Sequence, residues 1–199
     1  MPGIEVAGPP FLPGMAFASL YRTGLGQWFT SLGAGSTSTS AAIGNGVMRL
    51  APWPVATGIT VTQLGGEVTV IGDVGSTVRL GIYADNGSLM PGALVVDGGT
   101  IPGDAVAAAA ASATFSVTLA PGLYWIGGAV QGVTVTAPTL RIPNTLLIPA
   151  GGMGTSFPTA ANAMCSTVTQ SAVTGALPST ASCSTTTSSA VPRVLIKVA

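Results

Sequence analysis

The chain has 199 residues, with six Lys or Arg, six Asp or Glu and no histidine. Charged residues are 6% of it, against about 25% in an ordinary soluble domain. The missing histidine excludes Ser-His-Asp and Cys-His catalysis. The six cations, Arg22, Arg49, Arg79, Arg141, Arg193 and Lys197, are scattered singly, which speaks against the clustered basic surface that nucleic acid requires.

The length suits one domain of about 150 residues plus an arm or loop. Apolar residues are 47% of the chain, yet none of their runs approaches the roughly 18 residues of a membrane helix. A net charge of zero favours association. The expectation is a chain that works inside an assembly, as a homo-oligomer for which a trimer is a candidate, with subunit contacts covering apolar surface and no membrane partner.

Residues 1–46 read as an arm and connector. The start, MPGIEVAGPPFLPGMAF, lacks a basic n-region, and prolines at 2, 9, 10 and 13 break any apolar segment, so it does not read as a signal peptide. It reads as an extended, polyproline-like arm. Ile4, Val6, Phe11, Leu12, Met15 and Phe17 would be costly to leave in water; docking on a neighbouring subunit through Phe11, Leu12 and Phe17 is one reading and a disordered tail the other. Residues 21–46 are Gly/Ser-rich with one aromatic knot, Tyr21, Trp28 and Phe29, and room for one short strand.

Residues 47–199 read as the β domain. VMRLAPWPV is a short strand stopped by Pro52 and Pro54. In ITVTQLGGEVTVI, apolar residues alternate with threonine, and Gly65-Gly66 is either a tight hairpin or a bulge in one long strand. TVRLGIYAD places Val78, Leu80 and Ile82 on one face and Arg79 and Tyr83 on the other. Asp85-Asn86-Gly87 signals a turn, and Pro91-Gly92 fits the centre of a type II turn.

The insert GDAVAAAAASA favours a surface loop over one helical turn. In ATFSVTL, Phe115, Val117 and Leu119 point inward. In LYWIGGAV, Leu123, Trp125 and Ala129 share a face, and Tyr124, Ile126 and Val130 share the other. Two apolar faces imply a central strand whose outer face is covered. Trp125 is assigned to the core with Val78, Leu80 and Ile82, and Tyr83 and Tyr124 to an outer or partner-facing surface. VTVTAPTLRIPNTLLIPAGG gives one or two strands broken by prolines. Residues at about 151–191 turn Ser/Thr-rich and read as a long surface loop. PRVLIKVA closes the chain as a returning strand. Eight to ten short strands and that late return specify an all-β, jelly-roll-like β-sandwich with an extended N-terminal arm.

Chemistry is sparse. A Ser-Lys pair would need Lys197, which sits in a regular strand. The acids are Glu5, Glu67, Asp73, Asp85, Asp97 and Asp104, and four lie in or beside turns, where Asp serves the backbone. A paired-carboxylate glycosidase or a calcium site at Asp85, Asn86 and Asp97 is conceivable, but turn chemistry explains these residues more simply. Cys165 and Cys183 either close one loop, stabilising by roughly 3 kcal/mol, or stand as two thiols; they cannot hold zinc alone. No metal and no cofactor is expected. The candidate ligand or partner surface is aromatic: Tyr83, Tyr124 and Trp53, against the plainer reading of core and edge packing.

RLGIYAD, a turn, PGALVVDGGT and a strand ending in LAPGLYW together resemble a jelly-roll module of minor tail, tail-tip and surface proteins of tailed bacteriophages, especially those infecting actinobacteria. RLAPWPVATGITVTQL and PRVLIKV are similar to its opening and closing strands. The likeness spans about residues 47–132. It implies a virion structural protein, a minor tail or tail-tip component that attaches to a host-surface glycan by binding without catalysis. The alternative it implies is a capsid decoration or head-fibre protein pinned to other virion proteins by the N-terminal arm.

Overall fold

The computed structural model describes residues 28–30, 38–55, 58–143, 167–186 and 190–199. Among them run thirteen strands: β1 (Trp28–Thr30), β2 (Ser38–Ala42), β3 (Met48–Val55), β4 (Ile59–Val70), β5 (Thr77–Asp85), β6 (Pro91–Pro102), β7 (Ala107–Ala110), β8 (Val117–Leu119), β9 (Gly122–Gln131), β10 (Thr139–Pro143), β11 (Thr167–Gln170), β12 (Ser184–Thr186) and β13 (Leu195–Val198). They form two antiparallel sheets packed as a sandwich. The first sheet runs β1-β13-β4-β10-β2, with β7 and β8 also on β4. The second runs β12-β11-β3-β9-β5-β6.

β4 is the spine of the first sheet. One flank pairs with β8 (Ile59 opposite Leu119) and then β7 (Val68 opposite Ala107). Its other flank pairs with β13 (Leu64 opposite Ile196) and then β10 (Val68 opposite Leu140). Gly65-Gly66 therefore lies within one long strand and makes no hairpin. Between the sheets lie Ile59, Val61, Leu64 and Val68 of β4 with Val78, Leu80 and Ile82 of β5, Ile126 and Val130 of β9, and Ile196. Each such side chain, fully buried, stabilises by about 1.5–3 kcal/mol. The period-two alternation in β4 and β5 is the cause, since successive side chains point to opposite faces.

A second, smaller apolar layer covers the outer face of the other sheet. Met48, Leu50, Tyr83, Trp125 and Ala129 meet Val168, Val173 and Leu177 there. Of the Ser/Thr-rich stretch expected as a surface loop, residues 167–170 join the second sheet as β11, and residues 171–183 form a strap over it that buries Val173 and Leu177. Gly81 makes room for it, because a Cβ on that residue would collide with Leu177 Cδ1.

Several expectations are corrected. β3 runs through Pro52 and Pro54; beyond Leu50, among the described residues, only β9 pairs with it, and an edge tolerates residues without an N–H. The turn after β5 spans residues 86–90, closed by Asn86 N–H donating to Met90 O (2.8 Å), so Pro91-Gly92 begins β6 instead of centring a turn. The alanine insert is an edge strand on β4: four alanines are too few to nucleate a helix, and the β4 ladder satisfies their backbone. The connector contributes two strands, β1 and β2, to the first sheet. On β9 the two faces are exchanged: Tyr124, Ile126 and Val130 face the main core, while Trp125 and Ala129 lie under the strap.

Candidate functional site

The three aromatic residues expected at a binding surface are placed as follows. Trp53 is buried in the main core, 6.4 Å from Tyr124 between ring centroids, at a tilt of 54°. Tyr83 does point away from the main core, as its alternation requires, but the strap covers it completely, and its OH donates to Pro178 O (3.0 Å). Burial pushes its phenol well above the usual value. Both are thus corrected from surface to interior. Tyr124 is half-buried, with its OH donating to Ala120 O (3.1 Å). Trp125, assigned to the main core, instead donates its indole Nε1–H to Asp85 Oδ2 (2.9 Å) in the outer layer. Phe11, Leu12, Phe17 and Cys165 lie outside the described residues. Cys183 packs half-buried against the strap layer, and burial pushes its thiol up to about 11.

The described carboxylates hold the backbone or arginines. Glu67 accepts from Arg141 Nη2 (3.0 Å) and Arg193 Nη2 (2.6 Å), and the Arg141 hydrogen bond leads in lowering its pKa. Asp97 accepts from Arg79 Nε (2.8 and 2.9 Å) and pins the strap through Leu177 N–H (3.1 Å). Asp85 and Asn86 each accept an N–H two residues on, from Gly87 and Ser88, both at 2.8 Å. Those are the turn bonds the sequence suggested. Among the described residues no group of three His, Cys, Asp or Glu could hold a metal.

What the fold does assemble is a braced, apolar loop end. Three loops meet at one end of the sandwich: 71–76 between β4 and β5, 103–106 between β6 and β7, and 132–138 between β9 and β10. Asp73 ties the first to the third. Its carboxylate accepts from the N–H groups of Thr134 (2.6 Å), Val135 (2.6 Å) and Thr136 (3.0 Å) and from Thr134 Oγ1 (2.9 Å). These bonds, led by Val135 N–H, pull its pKa down to about 2. Asp104 ties the second loop to the first through Gly75 N–H (2.8 Å), and Gly72 N–H donates to Gly103 O (2.9 Å). Gly75 adopts a φ of +80°, a conformation open to glycine at little cost.

On this frame sit Val70, Ile71, Val74, Val106 and Val135. They are five of the seven large apolar side chains exposed among the described residues, and Val74 and Val135 are 95% and 88% exposed. No Lys or Arg lies in the three loops. This end therefore presents apolar side chains beside two backbone-bound carboxylates, a surface able to bury apolar area. The sequence signal was a valine inside each of three turns, at Asp73-Val74-Gly75, Asp104-Ala105-Val106 and Thr134-Val135-Thr136.

No protein-family model, curated protein or solved structure matches the chain. The fold is an all-β sandwich of two antiparallel sheets.

Proposed function

We propose that the protein is a structural component of a bacteriophage particle, a minor tail or tail-tip protein that takes part in host attachment by binding, without bond cleavage. The observation that carries the binding part is the loop end: apolar, free of cations, and braced by two aspartates that hold its loops in one arrangement. A site already rigid loses little entropy on binding, which favours recognition. The engagement of the described carboxylates with backbone, arginine and, at Asp85, the Trp125 indole supports a role in binding. The virion assignment rests on the sequence resemblance over residues 47–132. Its partners on this reading are other virion proteins, further copies of the chain and a host-surface glycan.

Mass spectrometry of purified particles tests the assignment. The protein is expected in the particle at a few to dozens of copies. Hundreds of copies would move it to the capsid as a decoration protein, and absence from particles would overturn the virion reading. Host-envelope pull-downs test attachment separately: retention that is lost in Val74→Asp/Val135→Asp supports it, and no retention in any oligomeric state contradicts it.

A further inference from the structure

The sequence holds two Asn-Gly pairs, Asn45-Gly46 and Asn86-Gly87. In such a pair the backbone nitrogen of the glycine readily attacks the side-chain amide before it, because no Cβ crowds the succinimide ring that forms. The fold treats the two pairs differently. Gly46 is buried, its N–H donates to Val130 O (2.7 Å), and its carbonyl accepts from Val173 N–H of the strap (2.9 Å). Asn45 forms a bridge with Val130, and its Oδ1 accepts from Val133 N–H (3.2 Å). The Gly46 nitrogen can turn toward the Asn45 amide only by breaking these bonds.

Asn86 and Gly87 lie instead in the exposed turn that joins β5 to β6. Gly87 has a φ of +86°, with nothing within 4 Å of where a Cβ would stand. The groups around it are placed for the reaction. Gly87 N is the nucleophile, and its N–H donates to Asp85 Oδ1 (2.8 Å), a carboxylate able to receive the proton. Asn86 Cγ is the electrophile. Asn86 Oδ1, on which negative charge develops, already accepts from Ser88 N–H (2.8 Å). Asp85 is itself fixed by Trp125 Nε1–H, which donates to its Oδ2 (2.9 Å).

We infer that Asn86 is a site of spontaneous deamidation, and that the folded turn promotes it through Asp85 and Ser88. Gly87 N forms a bond to Asn86 Cγ as its proton passes to Asp85 Oδ1. The Cγ–Nδ2 bond then breaks, and the amide nitrogen takes that proton and leaves as ammonia. Water opens the succinimide at Cγ to give aspartate, or at the main-chain carbonyl to give isoaspartate. No oxidant or reductant is needed, and Asp85 is regenerated. Either product sets a second carboxylate beside Asp85. In isoaspartate the main chain also runs through Cβ and Cγ, so the turn is one carbon longer and strains the Asn86 N–H bond to Met90 O (2.8 Å) that closes it. β5 starts at the apolar loop end, so this change falls at the other end of the sandwich and is independent of the proposed attachment.

Peptide mapping by mass spectrometry tests this on the full-length protein held at neutral pH for weeks, folded and in guanidinium chloride. In the unfolded chain the two pairs are expected to react at similar rates. In the folded protein Asn86 is expected to react at least as fast as when unfolded. Asn45 is expected to be slower than Asn86 by roughly tenfold or more, since it must wait for local opening. Asp85→Asn keeps an acceptor for Gly87 N–H but removes the base, and is expected to slow Asn86 in the folded protein by roughly tenfold or more. Circular dichroism checks that this variant folds, and the comparison of folded with unfolded wild type stands without it. An Asn86 that folding protects, an Asn45 as fast as Asn86 in the folded protein, or a folded Asp85→Asn that reacts like the wild type would each overturn the inference.

Discussion

Asp73 receives hydrogen bonds from the N–H groups of three consecutive residues. Its ionised form is the bonded form, so its pKa falls from the ordinary 3.8 to about 2. A carboxyl depressed in the folded state adds stability at every pH above its unfolded value and loses that contribution as pH falls through the folded one. The window is therefore pH 3.8 down to about 2. An NMR titration of the Val135 amide shift is expected to show a midpoint at about 2; a midpoint near 3.8 would mean that the brace does not form. Asp73→Asn is expected to speed amide exchange at Val135 and Thr136 at neutral pH, because a neutral amide is a weaker acceptor and offers one acceptor oxygen where the carboxylate offers two.

Tyr83 is the residue at which the strap is most simply tested. Its ring is wholly buried, and its hydroxyl donates to Pro178 O. Tyr83→Phe keeps the packing and removes the bond, so a loss of about 1 kcal/mol is expected in urea unfolding. No loss would mean that the hydroxyl adds nothing to holding the strap.

At the scale of elements, the strap over β3, β5 and β9 decides how the second sheet can be covered on both faces. It depends on Gly81, where any side chain would meet Leu177. Gly81→Val is expected to cost about 1–3 kcal/mol by overpacking. It should also loosen the strap enough that Cys183, whose buried thiol is held up to about 11, is alkylated faster in the reduced protein. Mass-spectrometric labelling at Cys183 reads this directly, and an unchanged rate would show that the strap accommodates the valine elsewhere.

The same elements show where sequence patterning carries information. Alternation in β4, β5 and β8 was legible because only one face of each is consistently apolar. β9 was not: Leu123, Trp125 and Ala129 are as apolar as Tyr124, Ile126 and Val130, and the choice between faces depends on Asp85, forty residues away, accepting from the Trp125 indole. β11 and the strap were illegible because Val168, Val173 and Leu177 are spaced five and four apart, which matches neither period. The alanines of β7 have the wrong local propensity for a strand and adopt it because β4 offers them a ladder. Trp53 and Tyr83 were misjudged for one reason: aromatic residues beside prolines or on an outer face look exposed until the layer that covers them is known. The valines at the loop end were overlooked because turns are read for Gly, Pro and Asp, not for what they display.

At the scale of the molecule, the charge deficit and the loop end describe one protein. A sandwich with a main core between its sheets and a strap over the second needs few charges for stability, and the described acids and arginines bind backbone or each other. Among the described residues, five of the seven exposed large apolar side chains gather at one end, where three loops are tied together. That is the distribution expected of a module whose stable state is a bound one. The proposed role in a phage particle is tested most directly by amide hydrogen exchange of the protein within purified particles against the protein alone. Residues 71–76, 103–106 and 132–138 are expected to exchange more slowly in the particle, with the opposite end little changed. Equal exchange of these loops in both states, with protection appearing elsewhere, would contradict it.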